Sequence, residues 1–148
     1  MKFKLSQNIE YNQAFFYEIK DGVYLNFLKF AFGNSDMISL CASRASLEKA
    51  LRIAEKYGKP IINDIIDSEI TDKTHCSIYR GGGIPVFYFR LSEAVKDFLN
   101  AKKSLFEYEC NGSDWLDDLV FYEKGVCRLS TCTHEGFIGI DIEKLKAF

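Results

Sequence analysis

The last third of the chain constrains the fold most, because two turn signals there separate three strand-like segments. Residues 114–122, 126–133 and 137–142 are rich in Val, Ile, Thr, Phe and Tyr, which favour strands. A Glu-Lys-Gly turn at 123–125 and a His-Glu-Gly turn at 134–136 separate these segments. Glycine-bearing turns between such segments are typical of an antiparallel meander. The sequence therefore predicts three consecutive antiparallel strands in this region.

A second meander is predicted near the N-terminus. Residues 15–20 and 23–30 are aromatic and aliphatic, and the dipeptide Asp21-Gly22 lies between them. Asp-Gly between two such segments indicates a hairpin, because both turn residues must accept a positive φ. Residues 37–41 would then pair back as a third strand. We therefore predict a meander over residues 13–41.

Two amphipathic helices are predicted between the meanders. Residues 46–57 place apolar side chains at the spacing of one helix face, with Ser46 as the N-cap and Gly58 after the end. Ser92 is predicted to cap the second helix, which runs to about residue 103. Its Val95, Phe98 and Leu99 would point inward.

The remaining segments are predicted from their residue types. Residues 61–68 repeat apolar pairs every four residues, as a helix would, whereas their β-branched content favours a strand. We predict a short helix with Asp64 and Asp67 outward. Residues 74–80, 84–90 and 105–110 are predicted to be strands. The three glycines at 81–83 lead into a strand and lack a following Lys-Ser/Thr, so they indicate a turn instead of a phosphate-binding loop.

These elements define an α+β fold. The sheet is expected to be mainly antiparallel and built from two meanders, with two to three helices packed on one face. The 148 residues contain no repeat or linker, and a chain of this length can bury a core of its own. We therefore expect a single α+β domain spanning residues 1–148.

Charge and cysteine content narrow the classes of function. Residues 1–60 carry 9 Lys or Arg and 6 Asp or Glu, whereas residues 61–148 carry 10 and 15, so the acidic half is C-terminal. No basic cluster suited to nucleic acid is present. The five cysteines are odd in number and include no C-x-x-C pair, which predicts reduced thiols in a cytoplasmic protein. We expect no signal peptide and no membrane span, because no stretch approaches 18 apolar residues.

Cys127, Cys132 and His134 offer sulfur and nitrogen ligands close together in the sequence. If 126–133 is a strand, its period of two places Cys132 and His134 on one face and Cys127 on the other. That arrangement does not build a closed tetrahedral zinc site, and we predict no cofactor. A thiol nucleophile remains an alternative, in which Cys132 or Cys76 pairs with His134 or His75.

Trp115 lies among the carboxylates Asp114, Asp117 and Asp118. The tryptophan is either a core residue, since Trp is usually largely buried, or an aromatic anchor within a recognition surface. In the second interpretation, the acidic groups around it would pair with Lys or Arg of a basic protein partner.

Residues 115–122, Gly125 and residues 133–137 resemble the C-terminal hairpins of small bacterial immunity proteins that accompany contact-dependent or polymorphic toxins. The resemblance implies a non-enzymatic inhibitor that binds one cognate toxin, often a nuclease, and blocks its active site or an essential surface. The partner-binding residues that it implies are Asp114, Trp115, Asp117, Asp118, His134 and Glu135.

We therefore expect an immunity protein that neutralises a cognate toxin without a cofactor. Two alternatives from other classes stay open. One is a small cytosolic enzyme that uses a Cys–His pair, and it requires one unusually reactive thiol. The other is a structural protein that associates with itself through exposed aromatic side chains.

Overall fold

A computed structural model describes residues 3–12, 17–42, 59–75, 83–108 and 116–145, together with positions 48, 52 and 55. Eight strands form one sheet in the order β2-β8-β7-β6-β3-β5-β4, and β1 pairs with β7 outside this order. Only the β1–β7 pair is parallel among the described strands. The strands are β1 (Lys4–Leu5), β2 (Ile9–Asn12), β3 (Met37–Cys41), β4 (Ile65–Thr71), β5 (Ile84–Arg90), β6 (Asp117–Glu123), β7 (Val126–Cys132) and β8 (Phe137–Asp141).

Helices make up the rest of the regular structure. The α-helices that the structure describes in full are α1 (Asp21–Gly33), α2 (Glu93–Asn100) and the single turn α3 (Ile142–Leu145). Short 3-10 helices span Lys59–Asp64, Leu105–Tyr108 and Thr133–Glu135. The predicted α+β class with a mainly antiparallel sheet is confirmed.

Both faces of the central strands are buried. One face packs with α1 and α2, and the rings of Phe27 and Phe121 meet there edge to face at 6.2 Å. On the other face, the Phe3 ring lies 4.6 Å from Tyr88 and 4.8 Å from Tyr122. All five residues of β3 are therefore buried, and four of them are apolar or cysteine, with Ser39 as the polar exception.

The closing meander is confirmed, with β6, β7 and β8 as consecutive antiparallel neighbours. The turn between β6 and β7 uses Lys124 and Gly125, both with positive φ, as a tight hairpin requires. The predicted strands at 37–41 and 84–90 are also confirmed as β3 and β5. Gly83 leads directly into β5, as the turn interpretation predicts.

The predicted N-terminal hairpin is wrong, because residues 21–33 form helix α1. Its buried residues are Tyr24, Phe27, Leu28 and Ala31, which follow the i, i+3, i+4, i+7 spacing of one helix face. Asp21 does adopt a positive φ of 51°, but it is the first residue of α1 and does not close a two-residue turn. Strand β3 consequently pairs with β5 and β6 and not with an N-terminal hairpin.

The predicted helices are confirmed in part. The Ser92 side chain accepts a hydrogen bond from the Val95 amide, and Val95 and Leu99 of α2 are buried. Residues 61–68 are a 3-10 helix up to Asp64 and strand β4 from Ile65, so a single helix there is wrong. The strand predicted at 105–110 is a 3-10 helix over 105–108. Most of 46–57, and residues 76–80, lie outside the described residues.

A buried carboxylate ties the edge of the sheet to the N-terminal segment. Asp141 Oδ2 lies 2.7 Å from the Arg128 guanidinium and accepts a 2.9 Å hydrogen bond from the Ser6 hydroxyl. The Glu143 amide donates to Asp141 Oδ1. Burial alone would raise the pKa of Asp141, but these hydrogen bonds and the charge of Arg128 outweigh it and lower the pKa.

We expect Asp141→Ala to lower the free energy of unfolding by about 3 kcal/mol, because it removes the buried carboxylate that Arg128 and the Ser6 hydroxyl share and leaves Arg128 only its pair with Glu123. Glu93→Ala is the matched control, since its ion pair with Lys96 is exposed. It should cost less than about 1 kcal/mol. Urea unfolding of the two variants gives both values. Equal losses would contradict a structural role for the Asp141 pair.

Candidate functional site

The candidate site begins at an irregularity in β6. The pairing of β3 with β6 shifts between Ser39 and Cys41, so Asp118 and Leu119 together stand opposite the single residue Leu40. Asp118 has a φ of 52°, in the left-handed region that few residues other than glycine adopt. Such β-bulges change the direction of a side chain. The Asp118 carboxylate accepts a 2.9 Å hydrogen bond from the Thr133 amide, beyond the end of β7.

Three potential ligand groups converge beside this bulge. A carboxylate oxygen of Asp118, the Cys132 sulfur and a ring nitrogen of His134 all lie within 4.8 Å of one another. The Cys132 Sγ is 3.6 Å from His134 Nδ1. Asp118 and Cys132 are buried, whereas the His134 side chain is 49% exposed. The cluster is therefore closed on the inside and open to solvent at the histidine.

A short surface turn holds His134 in this position. Residues 133–135 form one turn of 3-10 helix, and Gly136 ends it with a φ of 68°. Tyr17 covers the glycine so closely that a Cβ at position 136 would overlap its hydroxyl. The positive φ thus favours glycine at this position, and a larger residue would also displace the Tyr17 ring. His134 and Glu135 are about half exposed, and so is Tyr17 at 47%.

Asp117 and Asp118 form a buried pair of carboxyl groups. Asp117 Oδ1 accepts a 2.7 Å hydrogen bond from the Asp118 amide, and Cys41 Sγ lies 3.8 Å from Asp118 Oδ2. Burial, and then the charge of Asp118, raises the pKa of Asp117 to about 8. The Asp117 carboxyl is therefore held as a neutral acid over much of the pH range in which an exposed aspartate is ionised.

The predicted partner-binding residues separate into three groups. Asp114 and Trp115 lie outside the described residues. Asp117 and Asp118 are only 4% and 3% exposed, so the expectation that they form an exposed acidic surface is wrong. Their carboxylates point into the structure because β6 is covered on both faces. His134 and Glu135 are exposed as an interface would require.

The structure shows which thiol and histidine of the Cys–His alternative lie close together. Of the pairs considered, Cys132 and His134 do lie together, while Cys127 is part of the core around Tyr122. The pairing of β6 with β7 shifts between Leu129 and Cys127, so a regular strand period does not relate the two cysteines. However, Cys132 has no exposed surface, and a nucleophile must be reached by its substrate. Nothing in the sequence marks Asp118 as the third member, because the bulge that directs it is not encoded by a recognisable motif.

A second buried polar network lies on the face of the sheet that Phe3 covers. The Tyr122 hydroxyl is 3.1 Å from both Ser39 Oγ and His75 Nε2. Burial lowers the pKa of His75, so its neutral form is favoured. Tyr88 on β5, which is separated from β6 by β3, donates a 2.6 Å hydrogen bond to Glu69. These contacts satisfy the polar groups of a largely aromatic face, and we assign them a structural role.

Comparisons of the chain with family models, with curated proteins and with solved structures find no match. In the part of the chain that the structure describes, no helix combines the length and apolar character needed to cross a membrane.

The buried carboxyl pair makes stability depend on pH. The pKa of Asp117 is higher in the folded chain than the ordinary value of 3.8, so folding favours its protonated form. The associated stability is present below about pH 4 and is lost as the pH rises towards about 8. We expect Asp117→Asn, which keeps the acceptor for the Asp118 amide, to remove this contribution. Uptake of one proton changes the free energy of unfolding by at most about 1.4 kcal/mol per pH unit. Urea unfolding at pH 4 to 8 gives the free energy of unfolding of both proteins. If it changes with pH equally in Asp117→Asn and in the unmodified chain, the raised pKa of Asp117 is contradicted.

Proposed function

We propose that this chain is a non-enzymatic binding protein, specifically an immunity protein that binds and neutralises one cognate protein toxin in the cytoplasm. The observation that carries the proposal is the exposed patch formed by Tyr17, His134 and Glu135, which we call the Tyr17 patch. Tyr17 packs over Gly136 and is still 47% exposed. A partly exposed aromatic ring beside polar groups is typical of an interface hot spot.

The charge of the patch supports a basic partner surface. Glu135 is half exposed and Glu18, next to Tyr17 in the chain, is exposed. These carboxylates take the role that was expected of Asp117 and Asp118, which are buried. Acidic groups around an aromatic anchor would favour Lys or Arg on the toxin and speed its association.

The cysteines support the non-enzymatic part of the proposal. The described cysteines, Cys41, Cys127 and Cys132, are all buried and form no disulfide. Burial raises the pKa of Cys127 to about 12, so that thiol is a poor nucleophile at neutral pH. Reduced thiols also agree with a cytoplasmic site of action.

A direct test begins with capture of the partner. The tagged chain is expressed in its source cells, and a protein that remains bound in high salt is identified by mass spectrometry. That protein should arrest growth when expressed alone and should be harmless when this chain is co-expressed. A bound protein that is not toxic would overturn the immunity assignment.

Variants of the patch then test the surface. Tyr17→Ala should weaken binding of the captured toxin by about 2 kcal/mol, or roughly 30-fold in Kd, because it removes the aromatic anchor. Glu135→Lys should weaken it through charge reversal. Leu25→Ala and Glu93→Lys are matched controls, since both side chains are exposed on α1 and α2. Calorimetry measures all four affinities, and equal Kd values in patch and control variants would remove this surface from the proposal.

Strand β4 favours self-association as a second candidate function. It is the last strand of the described sheet, and its Ile66 and Ile70 are 45% and 54% exposed on one face. Apolar side chains on a terminal strand can pair with a second copy of the chain.

Sedimentation decides whether β4 acts in this way. A dimer in the unmodified chain that dissociates in the double variant Ile66→Lys, Ile70→Lys is the result expected from strand pairing. A monomer at concentrations of about 100 μM would exclude it, since stable homodimers persist at such concentrations.

A further inference from the structure

We propose that Asp118, Cys132 and His134 form a binding site for a divalent metal ion of the zinc type. The inference does not require toxin binding, because it rests on the convergence of three ligand groups, one of which, His134, also belongs to the Tyr17 patch. The three side chains supply one oxygen, one sulfur and one nitrogen within 4.8 Å of one another. This mixture is the ligand set that zinc accepts, whereas magnesium and calcium require oxygen ligands.

The distance between sulfur and nitrogen fits the ion. A tetrahedral zinc ion has bonds of about 2.3 Å to sulfur and about 2.0 Å to nitrogen, which places these two atoms about 3.5 Å apart. The observed separation between Cys132 Sγ and His134 Nδ1 is 3.6 Å. The two side chains can therefore bind one ion with little movement.

The groups around the ligands match those that usually orient metal ligands. His134 faces Cys132 through Nδ1, and its other ring nitrogen, Nε2, lies 3.7 Å from a carboxylate oxygen of Glu135. A carboxylate beside the remote nitrogen of a ligating histidine is the common second contact in zinc sites. The Thr133 amide holds Asp118 by a hydrogen bond to Oδ1. Asp118 is thus held by a hydrogen bond from this turn, and His134 has a carboxylate of the same turn beside its remote nitrogen.

The site also has a route for the ion. Asp118 and Cys132 are buried, but half of the His134 side chain is exposed, so an ion can enter at the histidine. With three protein ligands, one position remains for water or for a further donor. Cys41 Sγ, 3.8 Å from Asp118 Oδ2, is a further sulfur beside the site.

The test measures binding of Zn²⁺ and Co²⁺ to the full chain. The reduced protein is freed of metal with a chelator, and Zn²⁺ affinity is determined by competition with a chromophoric chelator. We expect one equivalent to bind. Co²⁺ should produce a thiolate charge-transfer band and the visible bands of tetrahedral coordination. Zn²⁺ should also raise the Tm, because binding to the folded chain stabilises it.

Three variants and one control locate the site. His134→Ala, Cys132→Ser and Asp118→Asn should each weaken Zn²⁺ binding by more than about 100-fold, since loss of even an outer contact costs 10- to 100-fold. His134 is half exposed, so its replacement should leave the fold intact. Cys127→Ser is the control, because Cys127 is a buried thiol of the same strand outside the cluster. Its affinity should equal that of the unmodified chain.

Two results would overturn the inference. The first is the absence of stoichiometric Zn²⁺ binding by the unmodified chain at a Kd below about 10 μM, since protein zinc sites are far tighter. The second is binding that His134→Ala and Cys132→Ser retain, which would place the ion elsewhere in the chain.

Discussion

The candidate site depends on one extra residue in β6. Asp118 occupies the left-handed region at φ 52°, which costs a residue other than glycine about 1 kcal/mol. The resulting bulge brings its carboxylate to the Thr133 amide and next to Cys132. A regular strand would continue the pairing of β3 and β6 without this change of direction. Strain of this kind persists only where surrounding contacts maintain it, and here they are the hydrogen bonds of a buried acid pair.

Burial on both faces of the sheet explains why so much polar chemistry lies inside the protein. Helices cover one face and the Phe3 segment covers the other, so the polar residues of β3 and β6 are largely removed from water. They must find partners within the fold, as Ser39, Tyr122 and His75 do. The raised pKa of Asp117 has the same cause, since burial favours its neutral form.

Elements with a local chemical signal could be predicted from the sequence. Ser92 caps α2 as expected. Gly125 lies in the turn between β6 and β7, and Gly136 lies directly before β8. Helix α1 could not be predicted from the sequence, because its aromatic residues have high strand propensity and the Asp-Gly dipeptide indicated a hairpin. The helical spacing of Tyr24, Phe27 and Leu28 was present in the same residues, and packing against the sheet decided between the two periods.

The site shows the same limit. A strand period of two predicted that Cys132 and His134 share a face, but β7 ends at Cys132 and His134 reaches it from the 3-10 turn that follows. Asp118 joins them only through a bulge whose position depends on pairing with β3. The two proposals also meet at one turn, since His134 faces the buried cluster while Glu135 faces solvent. A cation bound by His134 would fix the turn before a partner arrives and so reduce the entropic cost of association. By linkage, a partner that selects this conformation of the turn would in return tighten binding of the cation.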